Sequence, residues 1–273
     1  MWNEPQIWLS CTIMPTFTKT ILSLIICLLC LFSVGHGAER NKIFFRESFA
    51  HLENWRPVFF PKIKQHSIYR HEIQEGITSL RAESLGSASA IVYRKTFPVY
   101  DYPEIRWQWR VMNIYRKGDM RTKAGDDYPL RVYILFQYNP KTAGVMDRIK
   151  YGLTKMVYGE YPPHSAISYV WASRKEERGL IMPSPYTPRA VMIALQGGDT
   201  HLGSWQDEQV NVVADYRKAF GTNPPSVCTI GVMNDSDNTG ESAVSYIRFI
   251  EVFSTAKRFL QTKLQTRRGY DRL

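Results

Sequence analysis

The chain has 273 residues, of which 44% are hydrophobic and 13% aromatic, and its formal net charge is +10 at pH 7. A length of this order holds one large domain or two small ones, and the apolar share excludes a mostly disordered chain. The aromatic content, with 16 Tyr and 7 Trp, favours a β-rich domain or a binding surface.

The first element in chain order is an uncharged apolar run over residues 21–34, which is shorter than the roughly 20 residues that cross a bilayer as a helix. Lys19 precedes this run, and small residues follow it up to Ala38. This order is typical of a secretory signal peptide. We therefore predict a removed segment over residues 1–38, export of the mature chain and a periplasmic location. Met14 begins a complete signal sequence by itself, so the true start is either Met14 or the first residue.

The chain beyond residue 40 consists of short β-type runs separated by turn signals. The predicted strands cover residues 43–49, 66–73, 77–83, 89–97, 104–112, 130–138, 167–172, 190–195, 210–214, 227–234 and 243–253. One segment, 145–158, has apolar residues at helical spacing and is predicted to be an amphipathic helix in a long connection. Strands at this spacing predict an all-β fold, an antiparallel β-sandwich of the jelly-roll, lectin or carbohydrate-binding-module kind, over residues 39–253 with one helical insert.

Alternation along the predicted strand 104–112 indicates what each of its faces does. Successive side chains of a strand project to opposite sides of the sheet. Trp107 and Trp109 share one side with aliphatic neighbours, and Arg106 and Arg110 share the other. We therefore predict that both tryptophans lie in the core.

The polar faces of three predicted strands carry planar side chains instead of the short polar residues, Lys and Glu of a plain solvent face. Guanidinium and amide groups bind hydroxyls with paired hydrogen bonds, and aromatic rings stack on the apolar faces of sugars. The predicted glycan-binding residues are Arg106, Arg110, Arg131, Tyr133, Tyr169 and Trp171. The arginines suit an acidic glycan. The alternative is a sheet face that the predicted helix covers, with its arginines in ion pairs.

Several motifs together resemble a known family. They are Trp107-Gln-Trp-Arg-Val, Gly125-Asp-Asp followed by Arg131-Val-Tyr, Tyr169-Val-Trp171, Trp205, Ala214-Asp-Tyr with Phe220-Gly221, and Asp235-Ser-Asp-Asn-Thr-Gly240. Their order and spacing resemble the bacterial exported family of unknown function numbered 3047, over roughly residues 43–253. The resemblance implies a β-sandwich related in outline to lectin-like and carbohydrate-binding folds. It implies no particular activity, substrate or catalytic residue.

The sequence D-S-D-N-T-G at 235–240 begins like a calcium loop, with oxygen ligands at the first and third positions and Gly at the sixth. Its twelfth position is Tyr246, where an EF-hand needs Glu, so the EF-hand is excluded. Two hypotheses remain: a structural calcium ion held by loop carboxylates, or a turn in which Asp and Asn side chains bind their own backbone. The candidate calcium ligands are Asp126, Asp127, Asp235 and Asp237. No other cofactor is predicted.

The function predicted from these features is non-catalytic binding of a glycan or similar polar ligand in the cell envelope. One alternative is a polysaccharide hydrolase or lyase, because Asp126, Asp127, Asp235 and Glu241 supply carboxyl groups, although without diagnostic spacing. The other alternative is a structural envelope module that binds another protein.

The end of the chain, residues 254–273, carries six Lys or Arg residues and one Asp and is predicted to be a basic tail outside the fold. Its charge suits an anionic membrane surface or an acidic polysaccharide, and a solvated extension is the alternative. The sequence contains no recognisable nucleic-acid-binding motif, so nucleic acid is not an expected partner.

Overall fold

The computed structural model describes residues 41–141, 144 and 162–255. The predicted signal segment (1–38) and the predicted helix (145–158) lie outside the described residues, as does the predicted tail beyond residue 255. Among the described residues, no helix has the length and hydropathy that crossing a bilayer requires.

The described strands form two sheets, which pack face to face. The six-stranded sheet has the order β12 (Gln206–Asn211), β7 (Glu104–Val111), β14 (Ser242–Ser254), β4 (Ile77–Leu85) and β3 (Ile68–Gln74), with β1 (Lys42–Glu47) paired to β14. The eight-stranded sheet has the order β10 (Ile181–Ser184), β11 (Thr187–Gly197), β9 (Ser165–Ala172), β8 (Arg131–Phe136), β13 (Val227–Asp235), β5 (Ala88–Tyr93) and β2 (Trp55–Val58), with β6 (Phe97–Pro98) paired to β13.

The chain crosses repeatedly from one sheet to the other, as jelly-roll sandwiches do. The strand pairs are antiparallel except for β9 and β11, which run parallel. The predicted antiparallel β-sandwich is therefore confirmed.

The core lies between the sheets and is rich in aromatic rings. Trp107 and Trp109 on β7 are fully buried, so their predicted place is confirmed. The ring of Trp107 lies 5.5 Å from that of Tyr169, and Trp109 lies 5.8 Å from Trp171. Tyr169 and Trp171 belong to β9 of the other sheet, and each aromatic pair of this kind adds about 0.5–1.5 kcal/mol beyond the area it buries. These contacts fix β7 over β9.

The predicted strand 210–214 is wrong in its second half, because β12 ends at Asn211 and a helix, α1 (Val212–Phe220), follows at once. The Asn211 side chain accepts a hydrogen bond from the Ala214 N–H at 2.9 Å and caps the first turn. Gly221, with φ of 69°, ends the helix in the left-handed conformation that glycine adopts without steric cost. Two β-branched valines favoured a strand, but the caps at both ends favour a helix.

Candidate functional site

The residues predicted to form one ligand-binding face lie in three different places. Arg106 and Arg110 project from the outer side of the six-stranded sheet, opposite the buried tryptophans of β7. Arg131 projects from the outer side of the eight-stranded sheet, because its neighbours on β8 point into the core. Tyr169 and Trp171 lie between the sheets. The prediction of a single accessible face is therefore wrong.

Tyr169 and Trp171 are core residues. Their exposed fractions are 0% and 1%. The Tyr169 hydroxyl donates to Asp215 Oδ2 at 2.7 Å, and Trp171 Nε1 donates to the Gly198 carbonyl at 3.1 Å. All eight residues of β9 are buried, so its sequence has no polar alternation to show which side faces inward. The sequence correctly predicted that Tyr169 and Trp171 project to the same side of β9, but that side faces the core and not the solvent.

Arg131 is buried beneath the chain segment that leads into β8, so it offers no open surface to a ligand. Its Nε donates to Asp235 Oδ1 at 2.7 Å, and its Nη2 donates both to Asp235 Oδ2 and to the Asp126 carbonyl, the latter at 2.6 Å. The Tyr128 ring lies 4.3 Å from the guanidinium carbon. Tyr133, two residues further along β8, is half-buried against the small apolar group formed by Ala88, Ala90 and Met233. Neither residue shares a surface with Arg110.

The acids predicted from the loops do come together around Arg131. Asp127, Asp235 and Asp237 each have a carboxylate oxygen within 4.8 Å of the others. Asp126 lies beside them, with Oδ1 at 3.4 Å from Arg131 Nη1. We call Asp126, Asp127, Asp235 and Asp237 the acid cluster.

Burial disfavours the negatively charged form of the carboxyl groups in the acid cluster. Burial raises the pKa of Asp235 to about 7, and the neighbouring carboxylates add to this while Arg131 opposes it. Burial also raises the pKa values of Asp126 and Asp237. One guanidinium does not neutralise all these carboxyl groups, so the cluster gains or loses a proton near neutral pH.

Hydrogen bonds within the protein account for most oxygens of the acid cluster. Asp127 accepts from the Thr239 N–H at 2.6 Å and from Asn238 Nδ2 at 3.0 Å, which fixes the turn that Gly240 closes with φ of 72°. Asp235 accepts from Arg131. These bonds come from Asp127 and Arg131, outside the turn, and not from Asp and Asn side chains that bind their own backbone. The turn hypothesis and the calcium hypothesis for the acid cluster both stay predictions.

The carboxyl groups considered for glycoside hydrolysis have structural roles. Asp126, Asp127 and Asp235 are 3%, 0% and 2% exposed. Glu241 accepts hydrogen bonds from the backbone N–H groups of Arg116 and Lys117 at 3.0 and 2.9 Å. Hydrolysis needs two carboxyl groups facing each other across an accessible cleft, and these four do not have that placement.

The outer side of the six-stranded sheet carries an arginine on five of its strands. We call this surface the arginine face and define it by Arg46, Arg70, Arg81, Arg106, Arg110 and Arg248. One row of side chains crosses it from β7 to β3, because Arg110 is opposite Tyr246, Tyr246 is opposite Arg81, and Arg81 is opposite Arg70. Directly opposite side chains lie about 5 Å apart.

Most arginines of this face have carboxylate partners. Glu251 binds both Arg46 and Arg106, at 2.8 and 2.6 Å. Glu83 binds Arg81 at 2.6 Å, and the guanidinium lowers the pKa of this carboxyl group. The ion pairs of the alternative interpretation are therefore present for Arg46, Arg81 and Arg106, while the helix that it predicts over this face lies outside the described residues.

Arg110 has a different environment. Its guanidinium carbon lies 4.7 Å from the ring centre of Trp205 and 4.6 Å from that of Tyr246, and its Nη2 donates to Gln74 Oε1 at 2.5 Å. Within the described residues it has no carboxylate partner. Aromatic rings and an amide thus orient a guanidinium whose charge no nearby acid neutralises. Such a group binds a carboxylate, sulfate or paired hydroxyls through its remaining N–H groups.

Sequence reasoning did not assign Trp205, Tyr246 and Gln74 to this surface. Tyr246 lies on β14 between two inward-facing residues, Ser245 and Ile247. The alternation of side chains along β14 could therefore have predicted that Tyr246 faces outward. Trp205 precedes β12, outside any regular pattern. Its place beside Arg110 depends on the pairing of β12 with β7.

The family described as "Protein of unknown function (DUF3047)" matches residues 53–251, and the chain belongs to this family. The resemblance found from the sequence motifs is therefore confirmed. No curated protein matches the chain.

Solved structures similar to this chain include a carbohydrate-binding module, a lectin and an endoglucanase. A family 11 carbohydrate-binding module from Clostridium thermocellum, in complex with a β-1,3-1,4-mixed-linked tetrasaccharide, has a TM-score of 0.37 and 9% identity, covering 79% of this chain and 96% of that one. The winged bean acidic lectin with methyl-α-D-galactose has a TM-score of 0.32 and 10% identity, covering 73% and 98%. Endoglucanase 3 of family GH12 from Trichoderma harzianum has a TM-score of 0.35 and 8% identity, covering 74% and 99%.

Proposed function

We propose that this protein binds an acidic glycan on the arginine face without cleaving it. The observation that carries the proposal is the environment of Arg110. Its half-buried guanidinium lies against two aromatic rings and an amide on the outer side of the six-stranded sheet, and it has no acid partner among the described residues.

Sheet faces suit extended ligands because side chains from neighbouring strands repeat at regular spacing along them. The row from Arg110 to Arg70 presents three guanidinium groups along this spacing. Arg70 and Arg106 remain 52% and 41% exposed although both have acid partners. A polymer of uronic acids would place carboxylates along this row and its ring faces beside Trp205.

Binding without cleavage is supported by the roles of the acids. The loop carboxyl groups that could serve as a catalytic pair hold Arg131, a turn and two backbone N–H groups. On the arginine face itself, Glu83 and Glu251 are in ion pairs with arginines. The Arg81 guanidinium lowers the pKa of the Glu83 carboxyl group, which makes Glu83 a poor general acid.

The proposal is tested by titrating the mature chain with polygalacturonate and with neutral dextran, using wild type, Arg110→Gln and Arg217→Gln. Arg217 lies exposed on α1 and serves as the control of equal charge change. We expect binding to polygalacturonate alone and a loss of roughly 10–100-fold in affinity for Arg110→Gln only, because charge-assisted hydrogen bonds contribute about 1.5–3 kcal/mol. Equal affinity of the two variants would contradict the proposed site. New reducing or unsaturated ends after incubation would contradict non-catalytic binding.

We also propose that the chain is exported to the periplasm and that its basic tail holds it near anionic surfaces. Both proposals rest on the sequence, on the segments 1–38 and 254–273. N-terminal sequencing of the protein purified from the cell envelope should begin near residue 39. Sedimentation with anionic vesicles should fall when residues 256–273 are deleted, and unchanged sedimentation would remove the role of the tail.

A further inference from the structure

A cleft of about 340 Å³ opens between the two sheets on the side where both have an edge strand. β2 is the edge of the eight-stranded sheet, and β3 is the edge of the six-stranded sheet. Residues 59–67 connect these two strands, and Phe59 and Ser67 at the two ends of this connection line the opening. Because both sheets end here, no further strand among the described residues covers the core laterally. We call this opening the edge cleft.

The walls of the edge cleft are apolar and partly aromatic. Its lining includes the apolar side chains of Leu52, Trp55, Pro57, Phe59 and Ile91. Ile91 and Pro57 are opposite each other on β5 and β2, which places both side chains on the inner side of their sheet. A volume of this size lies in the range of small-ligand sites, which is about 300–1,000 Å³.

The polar groups that line the edge cleft are already engaged within the protein. Tyr69 OH donates to the Ser89 carbonyl at 2.5 Å, Ser89 Oγ donates to the Ser67 carbonyl at 3.0 Å, and Ser67 Oγ donates to the Asn234 carbonyl at 2.6 Å. The described residues that line the cleft include no charged side chain. A sugar entering here would leave its hydroxyls without partners, at a cost of about 1–3 kcal/mol for each buried group. The lining therefore favours an uncharged apolar ligand over a glycan.

Two aromatic side chains of the cleft differ in how firmly they are held. Trp55 is 5% exposed, stacks on Phe49 at 5.4 Å and donates from Nε1 to Glu47 Oε2 at 3.2 Å, so it forms a fixed wall. Phe59 is 56% exposed and lies with its ring 4.4 Å from that of His66 at the rim. An exposed phenylalanine beside an apolar cavity gains buried area when a ring enters the cavity.

We propose that the edge cleft binds a small uncharged ring compound, aromatic or cycloaliphatic, between Trp55 and Phe59. This site is separate from the arginine face and does not depend on the function proposed for that face. Binding buries the ring against Leu52 and Ile91 and covers the exposed side of Phe59.

The test uses p-xylene as the probe and thermal unfolding of the mature chain as the readout. For a Kd of about 0.1 mM, 1 mM p-xylene is expected to raise Tm by about 3–6 °C. Leu52→Phe should fill part of the cleft, and Phe59→Ala should remove its outer wall. The matched control is Phe44→Ala, which removes another exposed ring, 40% exposed, on β1.

The proposal predicts that the Tm increase caused by p-xylene persists in Phe44→Ala and falls at least about threefold in Phe59→Ala. Phe59→Ala should still fold, because substitutions of exposed residues usually change stability little. Leu52→Phe should abolish the shift. Glucose at 10 mM should produce no shift in any variant. The proposal is overturned if p-xylene leaves the wild-type Tm unchanged, if Phe59→Ala responds as the wild type does, or if glucose competes with p-xylene.

Discussion

Replacing Arg131 tests whether its guanidinium stabilises the fold or binds a ligand. Arg131→Met leaves Asp235 and Asp126 buried without their cation, at exposed fractions of 2% and 3%. Breaking a buried ion pair on one side costs about 3–5 kcal/mol. For a domain of this size each kcal/mol lowers Tm by about 2–4 °C, so we expect a drop of roughly 6–20 °C at pH 8.

The pH dependence of this loss identifies its cause. The pKa of Asp235, already raised by burial to about 7, rises further when Arg131 is removed, so at pH 5 the buried group is a neutral acid in the variant. The destabilisation should therefore be clearly smaller at pH 5 than at pH 8. It is measured by urea and thermal unfolding at both pH values.

Two further variants serve as controls for Arg131→Met. Adding Asp235→Leu removes both charges and should recover at least half of the lost stability. Arg217→Met, on the exposed face of α1, should change stability by less than about 0.5 kcal/mol. A loss below about 1 kcal/mol for Arg131→Met, or one equal at the two pH values, would refute the buried ion pair. Intact stability with lost glycan affinity would instead make Arg131 a ligand-binding residue.

Three other predictions concern the core, the titrating acids and the acid cluster. Trp171→Ala should lower stability by about 3–5 kcal/mol, measured by urea unfolding, because it leaves a cavity between the sheets; an open binding role would make the change nearly neutral. Wild-type Tm should be higher at pH 5 than at pH 8. Burial raises the pKa values of Asp235 and Glu208, so the folded state still binds protons that the unfolded state has released above about pH 4. A Tm that stays constant or increases from pH 5 to pH 8 would contradict this. Chelation of a calcium-replete sample should leave Tm unchanged, because Asp127 and Asp235 already accept hydrogen bonds from the Thr239 N–H and the Arg131 guanidinium. A drop in Tm of several degrees would establish the calcium hypothesis.

Alternation in the sequence was sufficient to place the residues of β7, and the reason is physical. This strand has one side in the core and one side towards solvent, so Trp107 and Arg106 differ in polarity as their surroundings do. β9 has both sides buried and carries only two small serines among apolar residues, so its sequence does not indicate which side of Tyr169 and Trp171 faces the core. Two sheet strands were not predicted, β2 and β10, because each has four residues and contains a proline.

The candidate site could be predicted only in part, because its contacts join distant parts of the chain. Arg131 and Asp235 are 104 positions apart and meet through the pairing of β8 with β13. Arg110 meets Tyr246 and Gln74 through β14 and β3. The side of a strand on which a residue lies can be predicted from its sequence neighbours. The ion-pair partner of a charged residue depends on the order of the strands in the sheet, which was not predicted from the sequence.

The arginine face as the glycan site is tested most directly by following the tryptophan indole N–H resonances of the ¹⁵N-labelled protein during titration with oligogalacturonate. We predict saturable shifts for Trp205, which lies beside Arg110, and none for the buried Trp107 and Trp171. Shifts at Trp107 or Trp171 without one at Trp205, or no shift at millimolar ligand, would contradict the assignment.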